Sequence, residues 1–273
     1  MIKEGRGINN NIKEEVNKIW DIFLKKSYST HNMSILYNDK IEKEYKLEFV
    51  KRNNYYSYLH VDKYKNCTIS IGVPINGKEN KTKELITHEL THLIEIIGLQ
   101  KKKYPKYYNI KKSLISYESK SKVIDLIVHC IYKTLDNEIN ANVAQTYTYL
   151  DGFGYMSSKE YLEKLKEFSE WEEYNNILNI SKDNVKSKVS VWEIKELNDI
   201  FLLNNVKTIK NFNIDDWFDF WFNIFNKKSN LYLRRSKRII SEIVDKYKHF
   251  ENYDTIPKDY SIIMDYSEFI SNK

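Results

Sequence analysis

With 273 residues the chain is long enough to bury a core without disulfide or metal staples, so size excludes neither one large domain nor two modest ones. Hydrophobic residues at 41% against 30% charged exclude a disordered chain, and a formal charge of +6 over interleaved basic and acidic residues leaves no nucleic-acid footprint. Cys67 and Cys130 are too few for a disulfide framework and lack the close spacing of a structural metal site, which fits a reducing, intracellular setting.

The N-terminal stretch is charged where a signal peptide needs an apolar run, and no segment has the apolar length of a bilayer span. A cytoplasmic protein, or one of a virion or host cytoplasm if virus-encoded, is expected, with no membrane contact and nucleic acid not a partner. Ile12, Val16, Ile19, Trp20 and Phe23 recur at helical spacing, predicting an amphipathic helix over residues 9 to 26. From Lys46 the period becomes two. Leu47 and Phe49, then Tyr56, Tyr58 and His60, then Thr68 to Val73 predict three short antiparallel strands.

Turn residues 75–80 precede a helical pattern carrying Leu85, Leu90, Leu93, Ile94 and Ile97, with Gly98 placed to end it. A basic, Tyr-rich loop near residues 100–113 follows. A helical stretch over 120–150 is predicted to break near Asp136 and Asn137, with Asn137 as a cap. Beyond Gly154 the pattern is helical throughout, over about 158–180, 190–204, 214–228 and 231–249, which places a soft boundary at residue 155. Trp217, Phe218, Phe220, Trp221, Phe222 and Phe225 make one helix apolar on most of its circumference and predict burial in a bundle. Arg234, Arg235, Lys237 and Arg238 form the densest basic cluster, read as a solvated helix face.

The chemistry concentrates at His88-Glu89-Leu90-Thr91-His92. On a helix, residues i and i+4 stack, so His88 and His92 can aim at one ion while Glu89 reaches water beside it. Zn2+ in such a site acidifies water, and a carboxylate can take the proton during attack on a carbonyl and return it to the leaving amine. Leu85, Ile86, Leu90, Leu93 and Ile94 face the core, where unpaired histidines and a glutamate would be costly. A third ligand is needed. Glu138 is the better candidate, because Glu138, Ala141 and Asn142 share one helix face and Ala141 lets two helices approach, leaving Asn142 to bond a ligand or the active helix. Glu95, His129, Glu118 and Asp125 are the alternatives. Tyr147, Tyr149 and Tyr155 lie nearest in sequence as oxyanion donors but read as packing, while His31, His60 and His249 read as structural.

His88-Glu89-Leu90-x-His92 followed by Glu138-x-x-Ala141-Asn142-x-x-Ala144 resembles the gluzincin class of zinc peptidases, and within it the ImmA/IrrE-type peptidases, over roughly residues 65–150. The resemblance implies His88, His92 and Glu138 as zinc ligands, Glu89 as general base, and the strand Thr68 to Val73 as an edge that aligns an extended peptide or protein substrate. With the pattern of strands and helices it gives an expected α+β fold: a zincin-like metallopeptidase domain over residues 1–155, with a small antiparallel sheet and an active-site helix, followed by an all-α region over residues 156–273 that is read from its helical pattern alone. The competing expectation is a non-enzymatic phage or mobile-element structural or regulatory protein that retains the zincin fold.

Overall fold

The computed structural model describes residues 10–26, 28–37, 41–62, 66–98, 121–203 and 207–248; the loop expected near 100–113, Glu118 and His249 lie outside the described residues. The opening helix forms as α1 (Asn10–Lys26) and buries Ile12, Val16 and Ile19. Its Glu15 carboxylate accepts a buried hydrogen bond from the Tyr45 hydroxyl at 2.7 Å, which ties the helix to the sheet.

Among the described residues the sheet has four strands, β1 (Thr30–Tyr37), β2 (Ile41–Lys51), β3 (Tyr56–Val61) and β4 (Cys67–Val73), in the order β1-β2-β4-β3. Two expectations change. The sheet is mixed rather than antiparallel, because β4 runs parallel to β2 and antiparallel to β3. β4 is also an interior strand, and among the described residues the edges are β1 and β3. The residues give the reason: β4 buries Cys67, Ile69, Ile71 and Val73 on one face and Ser70 and Gly72 on the other, as a central strand must, whereas Tyr58 and His60 of β3 are exposed. β1 was not foreseen, since its short alternation buries only Met33 and Ile35 among the described side chains.

Gly72 has a packing role. A Cβ there would meet the Tyr56 ring at 2.0 Å, so the missing side chain lets Tyr56 lie across β4 and fixes β3 against it. α2 (Glu79–Gly98) lays Ile86, Leu90, Leu93 and Ile94 on the sheet, in one core with α1 and all four strands.

The next segment breaks where the sequence suggested, giving α3 (Lys122–Lys133) and α4 (Asp136–Asp151). Asn137 is not the cap: Leu135 occupies that position, and Asn137 lies inside the first turn. Then follow α5 (Ser158–Glu167), α6 (Ser169–Asn179), α7 (Lys182–Lys186), α8 (Val191–Leu203) and α9 (Ile214–Lys248). The single helix expected over 158–180 is split at Phe168, whose extended backbone (ψ 129°) turns a buried ring onto Tyr149, centroids 4.4 Å apart. Conversely, the two helices expected over 214–249 are one helix of 35 residues. Ser229 and Tyr232 are fully buried at the supposed break, and the polar residues around them mark only its exposed side.

Trp217, Phe218, Trp221 and Phe225 of α9 are buried, as their pattern required. They share a core with Ile124, Ile127, Cys130 and Ile131 of α3, Ile139 of α4 and Tyr174 of α6, so packing crosses residue 155 without interruption. Among the described residues no helix is long and apolar enough to cross a membrane.

Asp151, at the end of α4, accepts a hydrogen bond from Lys13 of α1 at 2.8 Å, pairs with Lys246 of α9, and accepts a weaker bond from Tyr247 at 3.3 Å. Burial works against this carboxylate's charge, but the bonds from Lys13 and Lys246 hold its pKa below the ordinary 3.8. A lowered carboxyl pKa stabilises the fold above the unfolded-state value and loses that contribution as pH falls through the folded-state value. We expect Asp151→Asn to cost about 1–3 kcal/mol in urea unfolding at neutral pH. The gap from the parent should close as pH falls below 3.8.

Candidate metal centre

Two helices build the centre. α2 lays its apolar stripe on the sheet and turns its other side toward α4; Thr82, Thr87 and Thr91 sit along it with hydroxyls donated to the carbonyls of Lys78, Lys83 and Thr87. These side chains leave no polar hydroxyl stranded at the contact. The Thr87 and Thr148 hydroxyls are 2.9 Å apart across it, and Ala141 of α4 is fully buried. Small residues thus bring the helices close enough for side chains of both to meet.

They meet at His88, His92 and Glu138. The two Nε2 atoms are 3.1 Å apart, His88 Nε2 is 3.5 Å from Glu138 Oε2, and His92 Nε2 is 3.3 Å from Glu138 Oε1. His92 and Glu138 are buried, and the His88 side chain keeps 15% exposure, so the trio opens toward solvent on the His88 side. These three side chains could hold a metal ion.

The electrostatics agree with that donor set. Burial disfavours charge on Glu138, but the His92 charge and hydrogen bonds from both imidazoles hold its carboxyl well below the usual range. Burial likewise opposes charge on His88, yet its bond to Glu138 and the charges of Glu89 and Glu138 leave its pKa raised. A cation entering here would replace protons as the charge that balances the carboxylate.

Further contacts hold the trio in place. Asn137, expected as a cap, instead donates its amide to Glu138 Oε1 at 3.0 Å. His88 Nδ1 lies 3.2 Å from Gln145 Oε1. Glu89, 3% exposed, accepts a 2.7 Å bond from the Ser57 hydroxyl of β3 on Oε1, while its buried Oε2 has no hydrogen-bond partner among the described residues.

The other candidates are placed elsewhere. Glu95 accepts a 2.6 Å bond from Asn140, and burial first, with Glu138 and Asp136 assisting, pushes its carboxyl up to about 7. His129 is exposed and pairs with Glu173 at 2.5 Å; Asp125 is exposed. The Asn142 amide nitrogen donates to the buried Tyr174 hydroxyl at 3.0 Å, itself bonded to the Lys133 carbonyl, and its buried Oδ1 has no hydrogen-bond partner among the described residues. Tyr149 is packed against Phe168 and Phe153, Tyr155 is exposed, and the Tyr147 hydroxyl is pushed up to about 12 by burial and by Asp151. His31 lies 2.6 Å from the Ser29 hydroxyl. Arg234, Lys237 and Arg238 are exposed, whereas Arg235 donates to Asn140 at 2.8 Å.

Ser57 and Gln145 were missed by the sequence reading. The eye goes to Tyr56, Tyr58 and His60 in β3, but the inward phase is Ser57, Leu59 and Val61, and that opposite phase was the available signal. Gln145 lies two turns beyond Glu138 on the same face, a spacing that could have nominated it.

The chain matches no family model, no curated protein and no solved structure.

We expect His92→Ala and Glu138→Ala to lose a divalent ion that the parent retains through gel filtration, measured by elemental analysis. His129→Ala should retain it as the parent does, and loss there would mean that the wrong histidine has been assigned.

Proposed function

We propose that this chain is a zinc-dependent peptidase in which His88, His92 and Glu138 hold the ion and Glu89 is the general base. The observation that carries the reading is the spacing of the donors. A tetrahedral zinc site with bonds of about 2.0–2.1 Å places neighbouring donors about 3.3–3.4 Å apart. The two Nε2 atoms here are 3.1 Å apart, and each meets its own oxygen of Glu138, His92 Nε2 with Oε1 at 3.3 Å and His88 Nε2 with Oε2 at 3.5 Å, so each neighbouring pair lies near that spacing. Two imidazoles and one carboxylate are a set that leaves a coordination position open, as a catalytic site requires.

Zinc, when bound, supplies Lewis acidity that acidifies water and polarises a carbonyl. The remaining work belongs to the chain. Ser57 occupies one oxygen of Glu89 and so orients the carboxylate, leaving the partnerless Oε2 to take a proton during attack and deliver it to the departing amine. Among the described residues β3 pairs with β4 alone, so the strand that holds Glu89 in place is also one of the two edges of the sheet. An extended peptide or protein substrate pairing its backbone along β3 would lie beside that carboxylate. This moves the aligning role from Thr68–Val73, which is interior, to Tyr56–Val61.

The test separates binding from chemistry. Glu89→Gln should keep zinc and lose about 10²–10⁴-fold in hydrolysis of a broad peptide library. Unchanged hydrolysis in that variant, or a zinc-loaded parent that cleaves no peptide, would end this reading.

A further inference from the structure

Gln145 is nearly fully buried on α4, between the metal centre and a group of charged residues from two other helices. Its Oε1 lies 3.2 Å from His88 Nδ1. Its amide nitrogen donates to Glu170 Oε1 of α6 at 3.1 Å, and the same side chain hydrogen-bonds Glu84, one helical turn before His88 on α2. Lys81 pairs with Glu84 at 3.0 Å and is attracted by Glu170, so the two carboxylates share a cation. The other oxygen of Glu170 is held by the Ser169 hydroxyl at 2.7 Å.

These contacts decide which way the amide faces. An ionised carboxylate only accepts, so the Gln145 nitrogen must point at Glu170 and its oxygen at His88. An oxygen facing Nδ1 requires the proton on Nδ1, which in a neutral imidazole leaves the Nε2 lone pair free on the side of His92 and Glu138. No comparable partner serves His92, whose buried Nδ1 has none among the described residues.

The geometry points to Gln145 as a positioning residue that, anchored by Glu170 and Glu84, sets the tautomer and ring orientation of His88 for binding the ion through Nε2. This rests on the proposed zinc site. A helix beyond residue 155 thereby takes part in the centre through Glu170.

The experiment uses the full chain. Zinc affinity is measured by chelator competition in the parent and in Gln145→Leu, with circular dichroism confirming the fold, and the imidazole nitrogens of His88 are observed by 15N NMR in the zinc-loaded parent. The expected result is a dissociation constant about 10–100-fold weaker in Gln145→Leu, the usual effect of losing a hydrogen-bond partner behind a metal-bound histidine. The spectrum should show His88 protonated at Nδ1 and coordinated at Nε2. A folded Gln145→Leu with parental zinc affinity overturns the inference while leaving the peptidase reading intact. If that variant does not fold, the parent spectrum decides, and coordination through Nδ1 overturns it. A parent that binds no zinc overturns the proposed function and this inference together.

Discussion

Placing a carboxylate where water cannot reach it constrains everything around it. Glu138 is 1% exposed and ionised, and an isolated charge at that depth would be prohibitive. The chain meets the demand with donors from both sides: His88 and His92 across the helix contact, and Asn137 from the same turn. That solution dictates the close approach of α2 and α4, which in turn dictates Ala141 and the threonines between them. The sheet then serves as the floor that holds α2 by its apolar stripe, and the helical bundle as the wall that holds α4.

The sequence revealed local features better than relative placement. The helix carrying His88 and His92, the break between α3 and α4 and the convergence of Glu138 on the two histidines were all legible, because each depends on periodicity or on residues one turn apart. Strand order was not legible. Nothing in the spacing of Tyr56 or Thr68 says that the chain steps past β4's position to lay down the edge first and then returns between two strands. The break at Phe168 and the continuity through Ser229 were misread for one reason: both positions answer to burial against distant helices, and local polarity points the other way.

Contacts to the site residues show the same division. Residues on α2 and α4 could be nominated from helix faces alone. Ser57 and Glu170 come from elements whose position depends on the whole fold, and they reach the site only through other side chains. Asn142 illustrates the reverse error, a residue on the correct face diverted by the Tyr174 hydroxyl, which no local pattern announces.

The bond from Gln145 to Glu170 also bears on how the centre is assembled in time. A chain made from its N-terminus presents His88 and His92 well before Glu138 exists, and Glu138 before the helix that carries Glu170. The three donors lie on α2 and α4, whereas the bond that holds the Gln145 amide needs a segment synthesised later.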